Sequence, residues 1–216
     1  MPGSEASRPP RPEDSGPWAQ RFDRAIEVVL IALLAFGPFA FGVVHAWSEQ
    51  VVVSLAAVLL VLFFIQRSFI RPQPLVRTWA YVPAAVFLLV VAFQLIPLPT
   101  GVLGAISPET HLLKTELLSD LPSEVARPSK IPLTFYARAT RHDLRLVLAI
   151  VAVFFVVTNV YREPPAIKRL LGAIAFIGGA VGLLALAQDV AGNGRIYWIV
   201  PTYDGARSGP FINHSH

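Results

Sequence analysis

The chain has 216 residues, 54% of them hydrophobic and 15% charged, against roughly 25% charged in an average soluble domain. Its net charge of +4 does not point to nucleic acid: no binding motif accompanies it, and the basic residues flank apolar blocks, where they orient helices against anionic lipid. There is no cysteine, which excludes disulfides, thiolate metal sites and cysteine nucleophiles.

Met1 to Gln20 is rich in Pro, Ser, Gly and charge and buries too little apolar area to offset the cost of ordering. The expectation is a disordered tail over 1–22, a five-span membrane domain over 23–188 and an outer loop over 189–216. The tail is not read as a signal peptide, because a charged, Pro-rich lead precedes an apolar run too long for an h-region. The fold class follows as all-α: a polytopic membrane bundle of about five helices plus a short interfacial helix.

Span one is read from Arg24 to Val44, with Gly37-Pro38 as a kink or a hinge. Trp47, in the short connection that follows, suits an interfacial anchor, and His45 beside it reads as a solvated or hydrogen-bonded loop residue. Span two runs from Val51 to Ile70, with Arg67 within snorkelling reach of the surface. A basic, Pro-rich loop leads to span three, Trp79 to Pro97, where Gln94 suits a bond to a neighbouring helix.

Residues 98–143 form the longest polar segment and are expected outside. Within it Ser107, Pro108 and Glu109 read as N-cap, N1 and first-turn acid. Leu113, Leu117 and Leu121 then recur at helical spacing opposite Lys114 and Asp120. Two placements fit this helix: flat on the membrane surface, or packed on the other loops. Arg138, Arg141, His142 and Asp143 read as a solvated approach to span four, with an anion-facing patch as the alternative.

Span four covers Leu144 to Tyr161 and span five Leu170 to Ala187. Gly178 and Gly182 stand four apart in span five, so one face suits a close helix–helix contact. Arg67, Arg71 and Arg77 follow span two, and Arg162, Lys168 and Arg169 follow span four. The positive-inside rule then sets the N-terminus and these two loops in the cytoplasm, and Arg207 to His216 outside.

That last stretch is a polar loop with one fixed charge, Arg207, and two imidazoles, His214 and His216. It has no carboxylate neighbour in sequence and is not read as a metal site. No helix cap, closing strand or tail follows it, so the sequence reads as one that continues past His216. Taken as chemistry, Arg207 suits either a lipid headgroup or a bidentate phosphate contact.

Arg207, Gly209, Phe211, Asn213 and His216, after several spans, resemble the O-antigen ligase/O-antigen polymerase family. Ser215 departs from that pattern, in which an Asn is usual. Phe41-Gly42-Val43-Val44-His45-Ala46-Trp47 after span one, Pro97-Leu98-Pro99 after span three and Ile196-Tyr197-Trp198 before the loop are similar to the family in order and spacing. The resemblance implies a bacterial inner-membrane glycosyltransferase that takes a glycan from an undecaprenyl-diphosphate carrier to a lipid A core or glycan acceptor, with no cofactor or metal. It implies that Arg207 contacts the diphosphate and that Gly209, Phe211 and Asn213 shape its loop. The family's acceptor-side histidine belongs to a later loop, so these residues alone are expected to be inactive and to hold no catalytic residue. Outside the resemblance, the alternatives are a transporter or permease-like protein and a non-catalytic membrane assembly protein. The former would favour charges in mid-span, and none is central in the five runs.

Overall fold

The computed structural model describes residues 17–43, 45–70, 72–119, 128–191 and 195–201. The described residues are mainly helical, and the chain divides into two compact units: Met1–Val76 with Ala152–His216, and Arg77–Val151.

In the first unit, helix α1 spans Pro17–Phe39, so residues 17–22 of the expected tail are its first turns. Proline at its start costs nothing, since the first N–H groups of a helix have no internal acceptor. The far end carries Pro38 in its last turn. The Gly37-Pro38 pair therefore stands where the helix stops. A 3-10 turn follows over Phe41–Val43, with Gly42 at φ 69° and Val43 at φ 62°. Gly42 takes this left-handed conformation freely, whereas β-branched Val43 is strained in it.

Helix α2, Ala46–Ile65, starts from an extended His45 and continues into a π turn over Gln66–Ile70. It packs on α1 through Ile26 and Leu30 against Leu59 and Phe63, and Val156 and Tyr161 complete this core. Helix α7, Pro164–Ala191, carries Arg169, whose Nε donates to Glu27 Oε1 at 3.0 Å. A small antiparallel hairpin, β3 (Arg195–Ile196) with β4 (Val200–Pro201), follows α7.

In the second unit, α3 spans Tyr81–Leu95. Strand β1, Pro97–Pro99, pairs antiparallel with β2, Lys130–Pro132, in the register Pro97↔Pro132, Leu98↔Ile131, Pro99↔Lys130. Between them lie α4, Thr100–Ile106, and α5, Pro108–Ser119. Helix α4 is absent from the sequence reading, which gave its residues to a polar segment. Its start behind Pro99 and the burial of Leu103 explain it. Helix α5 starts where the sequence indicates: the Ser107 hydroxyl bonds Thr110 Oγ1 at 2.8 Å, and His111 N donates to Ser107 O.

Helix α6, Ala137–Val160, begins well before the expected Leu144, so Arg138, Arg141, His142 and Asp143 occupy its first turns. Polarity changes along this stretch, but no Pro or Gly interrupts it after Pro132, and the helix runs through.

Among the described residues three helices are long and apolar enough to cross a membrane: Ala46–Ile70, Ala137–Val160 and Pro164–Ala191. The other two apolar runs fall short for different reasons. In α1 the charges Asp23, Arg24 and Glu27 shorten the apolar stretch. In α3 the helix has 15 residues, about 22 Å at the usual rise against a core of about 30 Å. Helix α3 has no buried residue, and Phe176 and Leu183 of α7 are largely exposed. Apolar surface of this extent on long helices is compatible with a membrane protein.

Candidate functional site

The residues singled out for chemistry, Arg207, Gly209, Phe211 and Asn213, lie outside the described residues, as do His214 and His216. What is described is the segment just before them and the turn on which it rests. Ile196 ends strand β3, and Tyr197 and Trp198, with Ile199, form the tip of the β3–β4 hairpin. Tyr197 and Trp198 are both left-handed, at φ 52° and 61°. These two residues open the three-residue connection, Tyr197 to Ile199, that the register Ile196↔Val200 leaves between the strands, and neither is glycine. The strain is offset by anchoring: Ile196 is buried, and Tyr197 Oη donates to Phe39 O at 2.5 Å. Phe39 is the last residue of α1, where helix carbonyls lack internal partners. Burial also raises the Tyr197 phenol above its ordinary value of 10.

The turn after α1 belongs to the same end of this unit. Phe36 and Trp47 meet edge to face with centroids 5.9 Å apart. His45 lies 6.5 Å from the Trp47 ring, and its carbonyl accepts from Ser48 N and Ser48 Oγ. His45 therefore works through its backbone as a helix start, and its ring stands beside Trp47. One of the motifs quoted for the resemblance, Ile196–Trp198, is thus bonded to the last residue of α1, and another, Phe41–Trp47, begins two residues after it in the chain. The Tyr197 bond to Phe39 is not visible in sequence, because 158 positions separate the two residues. The one local signal is the adjacent aromatic pair Tyr197-Trp198.

A second polar group sits at the opposite end of α1 and α2. Gln66 donates its amide to Asp23. Asn159, buried, accepts from Val76 N at 2.9 Å and from Arg162 Nη2 at 3.3 Å, and donates to Phe155 O at 2.8 Å. Arg162 also donates to Asn159 O and to Pro74 O, each at 2.9 Å. The sequence marks Asn159 only as a polar residue near a span end. Its bridging to Val76 depends on long-range packing.

In the second unit, Lys114 is 8% exposed and donates to Pro132 O and to Thr134 O, the latter at 2.6 Å. Its ammonium also lies 4.9 Å from the Phe135 ring centroid. Burial lowers its pKa from the ordinary lysine value. Leu113 and Leu117 of the expected stripe are exposed while Lys114 is packed; Leu121 and Asp120 lie outside the described residues.

Among the described residues no group of three or more His, Asp or Glu is placed to hold a metal ion. Gly178 and Gly182 are uncovered: a Cβ at either would meet no atom within 4 Å. Compared with protein-family models, with curated proteins and with solved structures, the chain matches none.

Proposed function

We propose that the chain is the N-terminal membrane portion of a glycosyltransferase of the O-antigen ligase/polymerase type, in a bacterial inner membrane. The helices α1, α2, α3, α6 and α7 are its five spans, with α1 and α3 completed by polar ends and lipid thinning. Its N-terminus is cytoplasmic, and the turn after α1, the segment 97–136 and the hairpin after α7 face outward. Helix α5 lies at the outer surface, with Leu113 and Leu117 toward lipid.

The observation that supports this reading is the Tyr197–Phe39 bond, which ties the Ile196–Trp198 motif to the helix end that the Phe41–Trp47 motif follows. That bond holds the hairpin, which precedes Arg207 in sequence, against the end of α1. In the proposed reaction the bond between the glycan anomeric carbon and the carrier diphosphate breaks. A new bond forms to an acceptor hydroxyl, whose proton passes to a base outside these residues. The leaving group is an anionic diphosphate, and Arg207 offsets its charge with two N–H donors.

The test uses the reading frame extended past His216. At matched membrane levels, Arg207→Ala and Arg207→Lys are expected to lower glycan transfer about a hundredfold, about 3 kcal/mol of barrier. An ammonium lacks the planar fork, so lysine does not restore the contact. Wild-type transfer by Arg207→Lys removes the bidentate role; wild-type transfer by Arg207→Ala removes the site.

A further inference from the structure

At the end of α2, Phe63 packs edge to face on Phe155 of α6 with centroids 5.5 Å apart. One helical turn beyond them stand Arg67 and Asn159. The Arg67 guanidinium carbon lies 5.6 Å from the Phe63 ring centroid. Its Nη2 is buried and has no hydrogen-bond partner among the described residues. The expected snorkelling is therefore incomplete, since one donor is withheld from the surface. Arg162, held by Asn159 and Pro74, adds a second positive charge that acts against the first. Among the described residues no carboxylate pairs with either arginine.

Two like charges beside apolar helix ends, one with a buried unpaired donor, are costly unless an anion completes them. A guanidinium presents planar donors that match a phosphate, and the second charge raises the affinity for one. Phe64 and Phe69 are exposed in the same stretch, with Phe69 83% accessible, so an acyl chain finds apolar surface next to the charges. We propose that Arg67 and Arg162 form a binding site for the phosphate group of an anionic membrane lipid at this end of α2 and α6.

The test is thermal unfolding of the full chain in an uncharged detergent, with phosphatidylglycerol, phosphatidylcholine or inorganic phosphate added. A ligand that binds only the folded state raises the unfolding midpoint. Phosphatidylglycerol is expected to raise it and phosphatidylcholine not to. Arg67→Gln and Arg162→Gln are each expected to weaken the phosphatidylglycerol response about tenfold in lipid concentration. Arg138→Gln, which removes an exposed arginine elsewhere, should leave the response intact. Should Arg67→Gln not fold, Arg162→Gln reads the same site alone. An equal response in wild type and the tested site variant overturns the site, as does an equal loss in Arg138→Gln. A response to inorganic phosphate as large as that to phosphatidylglycerol overturns the lipid as its source.

Discussion

Lys114 is buried and Tyr197 half-buried, and both are shifted, yet they respond to alkali in opposite ways. The Tyr197 phenol must keep its proton to donate to Phe39 O, and burial raises its pKa above 10. A raised folded pKa adds stability that is complete below pH 10 and disappears as pH climbs through the folded value. The lysine shift is downward from 10.5, again by burial. Between its folded pKa and 10.5 the folded state releases a proton that the unfolded state keeps, so this group favours folding more as pH rises through that window. Hydrogen exchange followed residue by residue is expected to show both trends: Ile196 and Ile199 lose protection above pH 10, while Ile131 gains it just below 10.5. Tyr197→Phe should abolish the first trend and cost about 1 kcal/mol, the net worth of one hydrogen bond. Lys114→Met leaves the carbonyls of Pro132 and Thr134 without this donor, and should cost about 2 kcal/mol in thermal unfolding. Neither partner set was legible in the sequence, where Lys114 reads as the polar face of a surface helix and Tyr197 as one of two adjacent aromatics. Which way a side chain turns depends on what the fold brings to it, and Thr134 lies 20 positions from Lys114.

At the scale of elements, the starts of helices were easier to read than their lengths. Ser107-Pro108-Glu109 marks the start of α5, because a cap and a proline have local causes. The start of α6 at Ala137 was missed because composition changes at Leu144 while backbone propensity does not. Helix α4 was missed because a short helix is fixed by burial of Leu103, a tertiary event. Helix α5 allows a direct test of its placement. Leu113 and Leu117 are exposed while Lys114 is packed, so spin labels carried from Glu109 to Ser119 should alternate between lipid and water contact with helical period. Uniform water contact along the helix would exclude the membrane surface. Helix α7 offers the complementary case. A Cβ at Gly178 or Gly182 meets nothing, so alanine there adds helix propensity with no clash. Gly178→Ala and Gly182→Ala are expected to leave the chain folded and to stabilise it by up to about 1 kcal/mol each in thermal unfolding. A loss of stability would mean that something closes on that face.

At the scale of the whole molecule, the open quantity is the number of crossings. Among the described residues length and composition qualify three helices, and α1 and α3 bring the proposed count to five. The two counts predict different sidedness for the same loops. With five crossings, residues after α2 and after α6 share one side with the N-terminus, and residues after α1 and α7 share the other. This matches the Lys/Arg bias, because Arg67, Arg77, Arg162, Lys168 and Arg169 then lie on one side and the turn from Ala40 to Glu49 carries none. Dropping α3 alone reverses α6, and sends Arg162, Lys168 and Arg169 outward against that bias. Dropping α1 alone instead puts the N-terminus on the side of Trp47. Reporter fusions after Trp47, Gln66, Tyr161 and Ala191 separate these cases. The expected pattern is outside, cytoplasm, cytoplasm, outside, with a cytoplasmic signal from a tag at Met1. An outside signal after Tyr161 would remove α3 from the spans, and with it the outward placement of the hairpin that leads to Arg207. An outside tag at Met1 would remove α1 instead, leaving that hairpin where the proposal needs it. The fusion after Tyr161 therefore bears on the functional reading most directly, because the proposed reaction requires Arg207 on the side where a lipid-linked glycan would be handed over.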